Sequence, residues 1–243
     1  MSYILIIGAK SDVAKELAKC YAKNKFNIYL AARNSKVLKY FASDLEIRTG
    51  QKVELLDLDI LKVEDHKSFY DSLKEKPFGV ITTVGYLGDQ KLGEIEFAEA
   101  NKIFLTNFLG ITSLLNIIVN DFEKRNSGFL IGISSVAGDR GRKKNYFYGS
   151  SKAAFSTYLS GVRNRLNSKN INVLTVKPGF IYTKMTEDLN LPRLLTTSPE
   201  DISRDIFNAQ KKNKQILYTK RIWLLIMIII KLIPEKIFKK LNF

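Results

Sequence analysis

One cysteine, one histidine and no apolar run as long as a bilayer span set the first limits on this chain of 243 residues. Cys20 alone excludes an internal disulfide and fits a reducing, cytoplasmic compartment. On a helix that also carries Val13 and Leu17, it reads as a core residue. His66 has no second histidine or cysteine with which to share a metal, so no metal site is expected and it reads as a surface residue. Zinc-finger spacing, RNP-type aromatic motifs and basic-region heptads are all missing, which argues against nucleic acid as a partner. Residues 2–7 already form a strand pattern, so no cleavable signal peptide is expected.

What is present is enough apolar residue, 45%, to bury one substantial core. Short runs rich in Ile and Val fall at 3–7, 26–32, 53–58, 78–84, 129–134 and 171–176, with a short seventh at 216–218. Helical stretches separate them, at about 11–24, to about 47, at about 63–73 and 97–124, and to about 167. The alternation predicts an α/β fold, a doubly wound parallel sheet covered on both faces, over residues 1–219. The connector from 183 to 199 is long and apolar; it reads as a substrate lid, or as a packed loop.

The first strand-to-helix turn is Gly8-Ala9-Lys10-Ser11-Asp12-Val13-Ala14. A dinucleotide pyrophosphate needs a tight turn there and free N–H groups at the helix N-terminus. Gly8 makes the turn, and Ser11 or Asp12 caps the helix. Asp12 and Ala14 stand where two further glycines would complete the usual pattern. The second strand ends in Ala32-Arg33-Asn34, with no carboxylate to bind ribose hydroxyls. Arg33, with Lys10, would instead pair with a 2′-phosphate, so NADP(H) is favoured over NAD(H). Of Asp57 and Asp59, Asp59 is the candidate for the adenine edge, because Ile60 beside it offers an apolar contact.

Tyr148 and Lys152 lie four residues apart, thirteen and more residues after Ser135. On a helix that spacing puts phenol and ammonium on one face, where the cation would lower the tyrosine pKa. Ser135 ends an apolar run, so its hydroxyl emerges at the carboxyl edge of the sheet, where such folds bind ligands. Ser134 points the other way.

Together these residues resemble the short-chain dehydrogenase/reductase family over residues 3 to about 185. The matching parts are 8–14, Asp59-Ile60, Val84-Gly85, Asn107, Ser134-Ser135, Tyr148-x-x-x-Lys152 and 178–183. The resemblance implies a single-domain Rossmann-type oxidoreductase and usually a homo-oligomer. Gly8, Ser11, Asp12 and Val13 would hold the pyrophosphate. Pro178, Gly179, Ile181 and Thr183 would hold the nicotinamide carboxamide. Ser135 would orient a ketone, Tyr148 deliver the proton, Lys152 bind the nicotinamide ribose, and Asn107 hold a water of the proton relay. Thr82-Thr83-Val84-Gly85 stands where the family usually has Asn-Asn-Ala-Gly.

A narrower resemblance rests on 85–89, 134–140, 145–153, Lys184-Met185 and 233–241. These segments look like the decaprenyl-phosphoryl keto-sugar 2-reductases, which reduce a 2-keto pentose on a polyprenyl phosphate after a flavoprotein has oxidised it. That implies a lipid-linked sugar substrate and a flavoprotein oxidase as partner. A reductase of another lipid ketone, such as a 3-keto acyl chain, shares every catalytic residue, and a non-catalytic NADP-binding subunit is the reading from another class.

The net charge of +15 is uneven. Residues 211–243 carry nine Lys or Arg against Glu235 alone, beside the apolar run 222–230. That run is far short of the ~20 residues that span a bilayer. Residues 220–243 therefore read as an apolar and basic helical tail anchored on the inner face of a membrane, or as a core or oligomer-interface helix.

Overall fold

The computed structural model describes residues 2–183 and 192–241. Seven parallel strands form one sheet in the order β3-β2-β1-β4-β5-β6-β9. They are β1 (Tyr3–Ile7), β2 (Asn27–Ala32), β3 (Val53–Asp57), β4 (Gly79–Thr82), β5 (Phe129–Ile133), β6 (Asn172–Lys177) and β9 (Ile216–Tyr218). The first six coincide with the six apolar runs to within two residues at either end. β1, β2, β4 and β5 are buried along their whole length, as expected of strands covered on both faces.

Alternate residues along each strand serve two cores. Ile4, Ile6, Ile28 and Leu30 meet α1 (Asp12–Lys23), α2 (Lys39–Thr49) and α8 (Pro199–Lys211) on one face. Tyr3, Leu5, Ile7 and Tyr29 meet α3 (His66–Asp71), α6 (Gly110–Arg125) and α7 (Tyr146–Leu166) on the other. α8 was not expected from the sequence pattern, although Ile202, Ile206 and Phe207 form its buried stripe. The pattern also missed the short α4 (Gln90–Ile95), which Asp89 caps by accepting the Leu92 N–H.

The expected long helix is present as α5 (Phe97–Phe104), a wider π-type turn at Leu105–Leu109, and α6. This rod of 29 residues is long and apolar enough to cross a membrane, but Ile111, Leu115 and Ile118 are fully buried against the sheet. It is a core helix.

Two expectations need correction. His66 is completely buried, not on the surface; its Nδ1 lies 3.1 Å from Ser113 Oγ of α6, and burial holds its pKa below the ordinary value. Cys20 is only half-buried at the edge of the first core. Residues 184–191 of the 183–199 connector, Lys184 and Met185 among them, lie outside the described residues. Its far end is packed: β8 (Thr196–Thr197) pairs with β7 (Phe180–Ile181) in parallel. Among the described residues no group of three His, Cys, Asp or Glu is placed to hold a metal.

The tail does not stand apart. One face of α9 (Ile222–Leu232), through Trp223, Met227 and Ile230, forms a third apolar cluster with Val136, Phe180 and Phe238 of α10 (Glu235–Phe238).

Candidate active site

The chain order reverses between β1 and β4, which open a crevice at their carboxyl ends. At the exit of β1, Gly8 has φ +86°, and a Cβ there would come within 2.7 Å of Thr83 Oγ1. Only glycine makes this turn at this approach. Ser11, rather than Asp12, is the helix cap: its Oγ accepts the Ala14 N–H at 3.1 Å. The same hydroxyl donates to Thr83 Oγ1, which lies 3.1 and 3.0 Å from the Ile7 and Gly8 carbonyl oxygens. Thr83 thus ties β4 to the first turn. Sequence reasoning saw this position only as a missing asparagine; its place directly before Val84-Gly85 was the available signal.

Two adjoining cavities of about 390 and 380 Å³ fill the crevice and share Lys10, Ser11, Thr83, Val84 and Gly85. The first holds Gly8, Arg33, Asp59 and Ile60. Asp57, the other candidate for the adenine edge, does not line either cavity; its carboxylate accepts the Ser35 N–H at 2.6 Å and closes the loop after β2. Arg33 is exposed and has no ion pair among the described residues.

The second cavity brings together Asp12, Val13, Ser135, Tyr148, Lys152, Pro178, Gly179, Ile181 and Thr183. Every predicted cofactor and catalytic position except Asn107 lines one cavity or the other. Ser135 is extended at the end of β5, with its Oγ accepting the Ala137 N–H. Ser134 turns away, as expected, and its Oγ donates to the Lys152 carbonyl, pinning α7 to β5. Lys152 is buried; its ammonium donates to the Ile133 and Val84 carbonyls at 3.1 and 3.3 Å.

Burial has opposite effects on the two titrating groups, since it disfavours whichever form is charged. It brings Lys152 down to about 8. It pushes the Tyr148 phenol up to about 12, against a smaller opposite pull from the Ser135 hydroxyl. The expected lowering of Tyr148 by Lys152 is therefore not what this state shows: the ammonium lies 5.7 Å from the ring centroid and points to carbonyls.

Asn107 sits in the π-type turn with its side chain engaged. Its Oδ1 accepts the Tyr86 N–H, and Nδ2 donates to the Tyr86 carbonyl and to Ser151 Oγ. The amide braces the loop after β4 to α7, and Asn107 does not line the cavities.

Gly179 lies against the tail. A Cβ on it would sit 1.9 Å from the Trp223 ring, whose Nε1 donates to the Leu195 carbonyl. The tail therefore supports the far wall of the second cavity, a contact between residues 44 apart that local patterns do not carry.

The family model for short chain dehydrogenases matches residues 2–193. An uncharacterised oxidoreductase of Mycobacterium tuberculosis is 29% identical, over 98% of this chain and 96% of that protein. A 3-oxoacyl-[acyl-carrier-protein] reductase of Chlamydia muridarum is 26% identical, over 76% of each. Among solved structures, a short-chain dehydrogenase from Sphingobium yanoikuyae in complex with NADPH aligns over 97% of each chain, with a TM-score of 0.84 at 18% identity. The chain belongs to the short-chain dehydrogenase/reductase family.

Proposed function

We propose that this protein is an NADP(H)-dependent reductase that converts a ketone of a lipid-linked sugar to a secondary alcohol. The observation that carries the reading is the meeting of Ser135, Tyr148 and Lys152 with the Pro178–Thr183 turn in one cavity, continuous with the Gly8 and Arg33 cavity. The fit for a dinucleotide rests on the Gly8 cradle, into which no side chain fits, and on a buried lysine that donates its hydrogen bonds to the backbone carbonyls of Val84 and Ile133.

When bound, reduced NADP would supply a hydride to the carbonyl carbon. Ser135 donates a hydrogen bond to the carbonyl oxygen and holds the ketone in place. Tyr148 hands its phenolic proton to that oxygen as negative charge develops there, and a proton from solvent restores the phenol. Lys152 holds the nicotinamide ribose and offsets the charge on the phenolate once the proton has left. Asn107 fixes Tyr86 and Ser151; with its amide engaged, any hold on a relay water falls to its backbone.

NADP(H) is supported by Arg33 at the end of β2, where a carboxylate would select NAD(H). Arg33→Ala is expected to raise KM for NADPH roughly 10-fold and leave KM for NADH nearly unchanged. This is the low end for a charged hydrogen bond, because the guanidinium is exposed. Equal effects on both cofactors would remove the assignment.

The pH dependence follows from the two shifted groups. Reduction needs the phenol protonated and the ammonium charged. With Lys152 at about 8 and Tyr148 at about 12, the lysine loses its proton first as pH rises. The kcat/KM for NADPH in the free enzyme is expected to fall above pH about 8; a profile flat to pH about 10 would contradict it.

The sugar is supported by the motif resemblance at 85–89, 134–140 and 233–241, and the membrane-facing lipid and flavoprotein partner come with it. A 3-oxoacyl chain is the second reading, favoured by the 3-oxoacyl reductase among the relatives. Following NADPH oxidation with polyprenyl-phosphate keto-pentoses, made in situ by a flavoprotein oxidase, and with 3-oxoacyl thioesters decides between them. Turnover of the thioester alone would overturn the sugar assignment.

A further inference from the structure

The inner face of α9 is accounted for by the third apolar cluster, but its outer face is not. Ile222, Leu225, Ile228, Ile229 and Leu232 recur at helical spacing on the side opposite Trp223, Met227 and Ile230. Leu225, Ile229 and Leu232 are 62%, 63% and 75% exposed, and Ile237 and Leu241 beyond α9 are exposed as well. A contiguous patch of large apolar side chains marks an interaction surface. Arg221, Lys231, Lys236, Lys239 and Lys240 surround it, all exposed.

We propose that this face seats the protein on the anionic leaflet of a lipid bilayer, lying in the interface without crossing it. The 11 residues of α9 reach roughly 16 Å, against a hydrocarbon core of about 30 Å. An apolar face rimmed by lysines and arginines fits the boundary between acyl chains and anionic headgroups. A second copy of the chain fits poorly. A two-fold contact would set this basic rim against itself, and Glu235, the one acid after residue 211, is already paired with Arg140.

The seat is rigidly joined to the site. Arg140, on the loop between Ser135 and Tyr148, donates to the Ile230 and Ile233 carbonyls, and its guanidinium lies 3.7 Å from the Phe238 ring centroid. Trp223 lies against Gly179 on the same helix. Docking would hold the second cavity at a fixed position relative to the membrane. The inference does not depend on which ketone is reduced.

The test is cosedimentation of the full chain with vesicles of phosphatidylcholine alone or mixed with phosphatidylglycerol, alongside light scattering for oligomeric state. Wild type is expected to partition at least ~10-fold more into the anionic vesicles. The double variant Leu225→Asn, Ile229→Asn leaves every charge in place and is expected to bind at least ~10-fold less, with an unchanged melting temperature. Lys231→Gln with Lys236→Gln is expected to weaken binding to anionic vesicles only. Equal, weak binding of wild type to both vesicles would overturn the proposal. So would full binding by the asparagine variant, which would mean adsorption by charge alone, or a wild-type dimer that this variant splits.

Discussion

Tyr148→Phe is expected to lower kcat/KM for ketone reduction by roughly 10²–10⁴-fold, the range for losing a positioned acid in proton transfer. The substitution keeps the ring and removes one oxygen. Ser135 stays at the end of β5, and Lys152 keeps its bonds to the Ile133 and Val84 carbonyls. NADPH affinity should therefore hold within about twofold, the reading of an interaction made mainly in the transition state. Steady-state NADPH oxidation and cofactor titration by fluorescence separate the two effects. Turnover equal to wild type would show that another group supplies the proton, and the acid assigned to this cavity would be wrong.

Trp223→Ala is expected to cost about 3–5 kcal/mol of folding stability, as for other large aromatic truncations in a core. The indole is 4% exposed, stacks edge-on against Phe180 at a centroid distance of 5.3 Å, and bonds the Leu195 carbonyl. Removing it leaves a void behind Gly179, so KM for the cofactor should rise as well. Trp223→Phe retains most of the contact and gives up the hydrogen bond, at about 1 kcal/mol. Urea unfolding of both variants measures the difference. An alanine variant within about 1 kcal/mol of wild type would show that the tail is laid on the domain rather than built into it.

The parts legible in the sequence were those that local spacing encodes. Tyr148 and Lys152 share a face because four residues make about one helical turn, and Ser135 follows a run whose burial makes it a strand. Ser11 and Gly8 carry their roles in their own chemistry as a cap and a tight turn. What stayed hidden depends on partners far away in the chain. His66 reads as polar surface until Ser113 of α6 is brought over it, and Thr83 reads as a substitution until the Gly8 turn closes on it. The Tyr148 acidity was misjudged for a related reason: spacing places the cation near the ring but says nothing of desolvation or of the carbonyls that the ammonium prefers.

Asn107 gathers three distant stretches of the chain onto one amide, with Tyr86 and Ser151 separated from it by 21 and 44 residues. No fragment ending before α7 can assemble that junction, however well its own helices and strands form. A chain cut before α7 therefore loses this brace together with Tyr148 and Lys152, the wall that would protonate a ketone.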